Sequence, residues 1–282
     1  MPAGIIIREQ QLARFMNEGF LLVEASDSIQ RGISEVFTSG AEFFRESNAT
    51  KMLSRLEDDT GYRPYGVEYS QSPTRPDQIE SFTVSYRIPP SQVDSVPGNA
   101  RHLYKRMLGL FDIFESAAER LTIEIADRIT GTSHADILRS GFHTYSVLQL
   151  NLSRPAHLST DYVHELHEDG SLLTMSSVTG PGFELQANNG SFLPLTPSGA
   201  EILLISGEIL WLLSGGKVRP VYHRVQPVSS CEERMSLLFF ADLRPRLCVP
   251  WVKNKVNENV DIAERVLKNS TRFGLSEWRL LD

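Results

Sequence analysis

The six residues His164-Glu165-Leu166-His167-Glu168-Asp169 put two imidazoles and three carboxylates side by side, a density of ligating groups that suits a metal ion. Two geometries compete for them. On a helix His164 and His167, three apart, share a face; on a strand the natural partner of His167 is Asp169, because side chains two apart point the same way. The helical zinc motif needs histidines four apart to bring both rings to one ion, which this run does not supply. Strand signals surround it, so the spacing favours His167 with Asp169 and leaves His164 beside the site rather than in it.

A strand-borne pair needs a third ligand from another strand. The seven histidines are 102, 134, 143, 157, 164, 167 and 223, and His223 alone lies beyond Asp169, inside the apolar run VYHRV. Two imidazoles and one carboxylate make the facial triad that leaves three positions of an Fe(II) ion open. Taken singly, His223 reads equally well as a satisfied core histidine and HED as a solvated loop. The residues downstream tip the balance. In ERMSLLFF, Arg234 and Ser236 stand two apart on one strand face with apolar residues after them. A buried guanidinium is costly unless a carboxylate meets it, and an arginine fork suits the far end of a dicarboxylate.

Together His167-Glu168-Asp169, His223 and Arg234-Met235-Ser236 resemble the HxD…H…RxS signature of the Fe(II)/2-oxoglutarate-dependent oxygenases. More narrowly they resemble the isopenicillin-N-synthase-like branch. HEDGSLLT, Gly207-Glu208, Ser214 to Gly216 and His223-Arg224-Val225 follow that branch's order. Looser matches are GFLLV, AEFF followed by Lys51, the Gly61-Tyr62 loop and DQIESF. The resemblance implies Fe(II) on His167, Asp169 and His223, and 2-oxoglutarate chelating the iron, with Arg234, Ser236 and Asn151 as its binding residues. Oxygen would be the oxidant and ascorbate a candidate reductant. It implies hydroxylation, desaturation or ring closure of a small molecule, with release of succinate and CO2. Tyr62 and Tyr65 in GYRPYG, Gln149 and Phe240 are the expected substrate-side residues. Ser153 stands where the branch commonly has a tyrosine that helps bind the co-substrate, and Gln149 where it commonly has a basic residue. The alternatives are an oxidase of the same branch that uses no 2-oxoglutarate, and a metal-free barrel that only binds a ligand.

The elements that must position these residues fall into two textures. Up to residue 139 the chain is largely helical, with apolar residues at helical spacing over about 8–19, 28–45 and 99–129, a strand at FLLVEA, and a Pro- and Gly-rich stretch over about 56–97. From 140 to 250 short β-type runs follow one another with Gly, Pro or Asn-Gly punctuation, among them YSVLQLNL, SLLTMSSV, EILLISGEIL and MSLLFFADL, and NNG at 188–190 signals a hairpin. Residues 251–282 end the chain with a short amphipathic helix. The pattern predicts a mostly β protein, an antiparallel barrel or double-sheet jelly roll packed with the helical half in one integrated unit; the resemblance implies that its core is a distorted double-stranded β-helix of the jelly-roll, cupin-like kind with flanking helices.

Composition narrows the function classes. The net charge of −7, from 35 acidic and 28 basic residues without a long run of either, argues against a nucleic-acid or anionic-membrane surface. Cys231 and Cys248 carry no metal spacing and make no disulfide framework, which suits a reducing compartment. The opening MPAGIIIREQQ has only a three-residue apolar run before charge begins, so a cytoplasmic protein is expected.

Overall fold

The computed structural model describes residues 5, 7–139, 141–154, 160–187, 189–228 and 232–280. His157 and Cys231 lie outside them, as does the first asparagine of the NNG turn. Eight helices are present among these residues: α1 Glu9–Glu18, α2 Asp27–Phe44, α3 Asn48–Met52, α4 Pro90–Ser95, α5 Gly98–Thr130, α6 Ala135–Leu138, α7 Glu208–Leu213 and α8 Ile262–Lys268. The strands are β1 Phe20–Glu24, β2 Gly61–Arg63, β3 Glu80–Val84, β4 Val147–Ser153, β5 His164–His167, β6 Leu173–Val178, β7 Phe183–Gln186, β8 Phe192–Pro194, β9 Glu201–Ser206, β10 His223–Val225 and β11 Arg234–Ala241.

They form two antiparallel sheets, a large one in the order β1-β9-β6-β11-β4-β3-β2 and a small one in the order β5-β10-β7-β8. Strands β7 and β8 pair across the turn that the NNG run signals, with Gln186 opposite Phe192. The expected double-sheet jelly roll is present. The N-terminal half contributes more than helices to it, since β1 is hydrogen-bonded along β9 and the β2–β3 pair extends the sheet from β4.

The period of two along each strand decides what faces where. On β4 Leu148, Leu150 and Leu152 join the core under the helices, and on β11 Leu237, Phe239 and Ala241 do the same. The alternate residues, Gln149 and Asn151 on β4 and Arg234, Ser236, Leu238 and Phe240 on β11, turn to the space between the sheets. Helices α5 and α2 cover the outer face. The stripe of α5 from Leu103 through Phe111 and Phe114 to Ile125 is buried, and Gly131 ends the helix in a left-handed conformation (φ 74°). Gly40 lets α2 lie close on the sheet, because a Cβ there would come within 2.3 Å of Leu150 Cδ2. A second core of Phe183, Leu185 and Val225 from the small sheet against Leu203 and Ile205 from the large one joins the two layers. Each such side chain contributes roughly 1.5–3 kcal/mol by leaving water.

Two elements differ from the sequence reading. EILWLL, expected to continue the strand of EILLIS, is helix α7: Gly207 breaks the strand, and the four Leu and Ile residues of the segment are buried as one short helical turn. The last helix begins at Ile262, capped by Asp261, whose carboxylate accepts the amide of Glu264 at 3.0 Å. The chain then continues as a 3-10 turn, Asn269–Phe273, toward the open end of the sandwich. No helix among the described residues is long and apolar enough to cross a membrane.

Candidate active site

A cavity of about 150 Å³ lies between the sheets. His167 ends β5 and is paired directly with His223 of β10, which brings the two rings together with centroids 4.4 Å apart and planes tilted by 54°. Asp169 follows two residues after His167. Its Oδ1 is 3.8 Å from His167 Nε2 and 3.7 Å from His223 Nε2, and one ligand atom from each of the three residues lies within 4.8 Å of the others.

The hydrogen bonds behind these atoms set their chemistry. Nδ1 of His167 is 2.6 Å from the carbonyl of Glu165, and Nδ1 of His223 is 3.1 Å from that of Val221. A carbonyl only accepts, so each Nδ1 carries the proton and each Nε2 keeps its lone pair. Asp169 Oδ2 accepts the hydroxyl of Thr174 at 2.5 Å, which orients the carboxylate and leaves Oδ1 toward the histidines. Burial and the neighbouring His223 hold the His167 imidazole down to about 4, although Asp169 pulls the other way. Two neutral imidazoles and a carboxylate converging on one point are the donor set that a divalent transition metal takes.

His164 belongs to a different contact. Its Nδ1 is 2.9 Å from Asp77 Oδ2, and its ring centre lies 6.2 Å from that of His167. It lines the cavity but stands outside the converging set, as its spacing predicts. Glu168, between His167 and Asp169, is absent from the cavity lining and takes Arg272 Nη2 at 3.0 Å. A second grouping of Asp112, Glu115 and His143 lies on the outer side of α5, with His143 Nδ1 2.9 Å from Glu115 Oε2.

At the far end of the cavity β11 and β4 present Arg234, Ser236 and Asn151, with Ser236 directly opposite Asn151 in the ladder. Arg234 is buried, and its Nε donates to the carbonyl of Pro181 at 2.9 Å, which fixes the plane of the guanidinium. Asn151 Oδ1 accepts Gln149 Nε2 at 2.7 Å, while Asn151 Nδ2 is buried without an acceptor. A buried amide N–H without a partner costs about 1–3 kcal/mol, so a carboxylate oxygen entering here relieves it. The residues present therefore fit a 2-oxoglutarate carboxylate.

Of the four residues expected on the substrate side, Gln149 and Phe240 line the cavity. Tyr62 and Tyr65 do not. Tyr62 sits on the opposite face of the sheet, its ring against Phe43 at 5.8 Å and its hydroxyl donating to Glu80 at 2.8 Å, and burial followed by Glu80 raises that phenol above its usual range. Strand parity puts Arg63 on the cavity side instead, where its Nη2 donates to Gln149 and its Nε to Glu68 at 2.9 Å. Tyr65 is largely exposed beside Arg154, 3.3 Å from its Nη1. Ser153 is buried opposite Arg234 in the ladder, with its hydroxyl 3.4 Å from the Arg234 carbonyl.

The sequence reading missed the wall made by the end of the chain. Asn269, Phe273, Leu275 and Trp278 close the cavity, and the segment is tied down by Arg265 and Arg272, which both reach Glu208, and by the Arg272 pair with Glu168. The one signal in the sequence was Gly170. A Cβ there would fall 1.6 Å from Asn269 Oδ1, so only glycine leaves room for the turn.

Residues 145–242, the segment that carries the three converging donors and the Arg234–Ser236 pair, match the model of the 2OG-Fe(II) oxygenase superfamily. Over this segment, about a third of the chain, the sequence is similar to that superfamily. Among proteins similar to it, the 2-oxoglutarate-dependent dioxygenase ecdG of Aspergillus rugulosus is 28% identical over 201 residues, covering 65% of this chain. The chain spans 56% of the length of that curated relative. Among solved structures, a full-length Neurospora crassa protein in complex with alpha-KG superimposes with a TM-score of 0.75 at 17% identity, covering 93% of this chain and 89% of the other. The dioxygenase for auxin oxidation 1 of Arabidopsis thaliana, bound to 2-oxoglutarate, gives a TM-score of 0.66 at 18% identity over 82% of this chain and 86% of the other. At these identities the likeness is one of fold. Within the oxygenase segment, β4 to β11 supply both ends of the cavity, and Fe(II) and 2-oxoglutarate are the metal and co-substrate by which the superfamily is named.

Proposed function

We propose that this chain is an Fe(II)- and 2-oxoglutarate-dependent oxygenase of the isopenicillin-N-synthase-like branch that oxidises a small molecule. The observation that carries the reading is the pair of backbone-anchored imidazoles whose Nε2 atoms meet Asp169 Oδ1. His167, Asp169 and His223 would hold the metal, and Arg234, Ser236 and Asn151 the distal carboxylate of 2-oxoglutarate. When bound, the iron and its co-substrate supply an O2-derived oxidant for substrate C–H bonds, with succinate and CO2 as co-products.

The protein's own part is positional. The two backbone carbonyls keep each imidazole in one tautomer and one plane, and Thr174 does the same for Asp169. The apolar walls of Leu238, Phe240 and Phe273 exclude water from the space between the metal residues and the cavity mouth. The Neurospora protein has also been solved with alpha-KG and thymine, a small molecule, which supports a substrate of that size here. The strands from the N-terminal half lie in the same sheet as β4 and β9, which supports reading 1–139, 140–250 and 251–282 as one integrated unit. The buried free thiol of Cys248 suits a reducing cytoplasm.

The experiment is an anaerobic titration of the protein with Fe(II) and 2-oxoglutarate, followed by succinate assay in air. A visible charge-transfer band and 2-oxoglutarate-dependent succinate release are expected. Turnover that proceeds without 2-oxoglutarate would overturn the reading in favour of an oxidase on the same fold.

A further inference from the structure

The charges around the cavity restrict what can be oxidised there. Among the described residues that line it, four carboxyls, Glu68, Asp77, Asp169 and Asp242, face a single guanidinium, that of Arg234, and no lysine. Arg234 stands at the end assigned above to the co-substrate. Glu68 is already engaged by Arg63 at 2.9 Å and by Gln149 at 3.0 Å, and Asp77 by His164 at 2.9 Å. Asp242 is buried with its Oδ1 on the amide of Leu172. A further carboxylate in this space would meet the same desolvation, with Arg63 committed to Glu68 and Arg234 to the co-substrate.

An uncharged polar partner is at hand instead. Asn269 opens the 3-10 turn of the C-terminal wall, and its carboxamide lies flat on Gly170, the residue after Asp169. The amide oxygen is buried and has no hydrogen-bond partner in the protein. Around it the wall is apolar, with Phe273, Leu275 and Trp278 facing Phe240 across the cavity.

Resting on the oxygenase reading, we propose that the substrate is a compact apolar molecule without a carboxylate, held through an uncharged hydrogen-bonding group by the carboxamide of Asn269. Asn269 is then a specificity-determining residue, and the C-terminal segment is the part of the chain that selects the substrate.

The test separates this proposal from the reading beneath it. The anaerobic band with Fe(II) and 2-oxoglutarate is recorded first and needs no substrate; its absence from the wild-type protein refutes the oxygenase reading itself. With the band present, stimulation of succinate release is measured over matched sets of aromatic carboxylic acids, their primary amides and the corresponding alcohols. The amide or alcohol set is expected to raise the rate at least about fivefold over the uncoupled reaction, and the acid set to leave it unchanged. For the strongest stimulator, Asn269→Ala and Asn269→Ser should each raise KM about tenfold, the worth of roughly one hydrogen bond, with kcat changed by less than about twofold. Stimulation by the acids, stimulation by none of the three sets, or an unaltered KM in both variants overturns the proposal.

Discussion

Thr174→Val tests whether Asp169 is a positioned ligand or simply a nearby carboxylate. The change is close to isosteric and falls at a buried site, so it removes the 2.5 Å hydrogen bond from the threonine hydroxyl to Asp169 Oδ2 and leaves the methyl contacts of β6 in place. A hydrogen bond to an ionised group is worth about 1.5–3 kcal/mol. If it orients the carboxylate for the metal, that energy appears in binding, and the Fe(II) dissociation constant rises by roughly ten- to hundredfold, the range seen when partners behind a metal ligand are removed. Ser171 Oγ, 3.2 Å from the Thr174 hydroxyl, loses a partner as well, which adds a small cost to folding but none to the metal. The assay is anaerobic Fe(II) titration at fixed 2-oxoglutarate, read by the visible band, beside a melting curve of the apoprotein. Thr174→Ser, which keeps the hydroxyl, should restore wild-type affinity. An unchanged dissociation constant in Thr174→Val, with the fold intact, would refute the claim that Asp169 is held ready for a metal by its neighbour.

Further outcomes follow from the same geometry. His223→Ala should abolish metal binding and turnover, whereas His164→Ala, which breaks only the contact with Asp77, should keep Fe(II) affinity within about threefold by the same titration. Arg234→Ala should weaken 2-oxoglutarate binding by about a hundredfold or more while the metal is retained, measured as the 2-oxoglutarate concentration that half-saturates the band. The metal-free protein should lose stability as pH falls from about 6.5 toward about 4: the unfolded chain binds a proton on His167 at its ordinary value while the folded chain refuses it until about 4. Denaturant midpoints across that window check it, and a His167→Asn apoprotein should show a flatter profile.

Part of the candidate site was legible in the sequence because strand parity is local: Arg234 and Ser236, two apart on β11, state their own facing once the segment is taken as a strand, while His167 and Asp169 keep that spacing although β5 ends at His167 and Asp169 stands just beyond it. His223, the third member of the converging set, stood out by the poverty of alternatives downstream. The substrate half was not legible for the complementary reason. Tyr62 and Arg63 are neighbours on a three-residue strand, and nothing within GYR says which of them faces inward. The answer lies in Phe43 and Glu80, which claim Tyr62 from the helix side. Asn269 joins the cavity through Gly170, about a hundred residues earlier, and through Glu168 and Glu208 by way of Arg272, contacts that carry no periodicity. Helix α7 was missed because an unbroken apolar run cannot distinguish a buried strand from a short buried helix.

The edge strand β1 is made early in the chain, yet every backbone partner of its ladder lies in β9, most of the chain later. During synthesis the backbone groups of β1 therefore wait for their partners until β9 has been made, and loops of that length close slowly. The large sheet is completed along its β1 edge only late in synthesis, so the order in which the chain is made and the order in which this edge closes run opposite to each other.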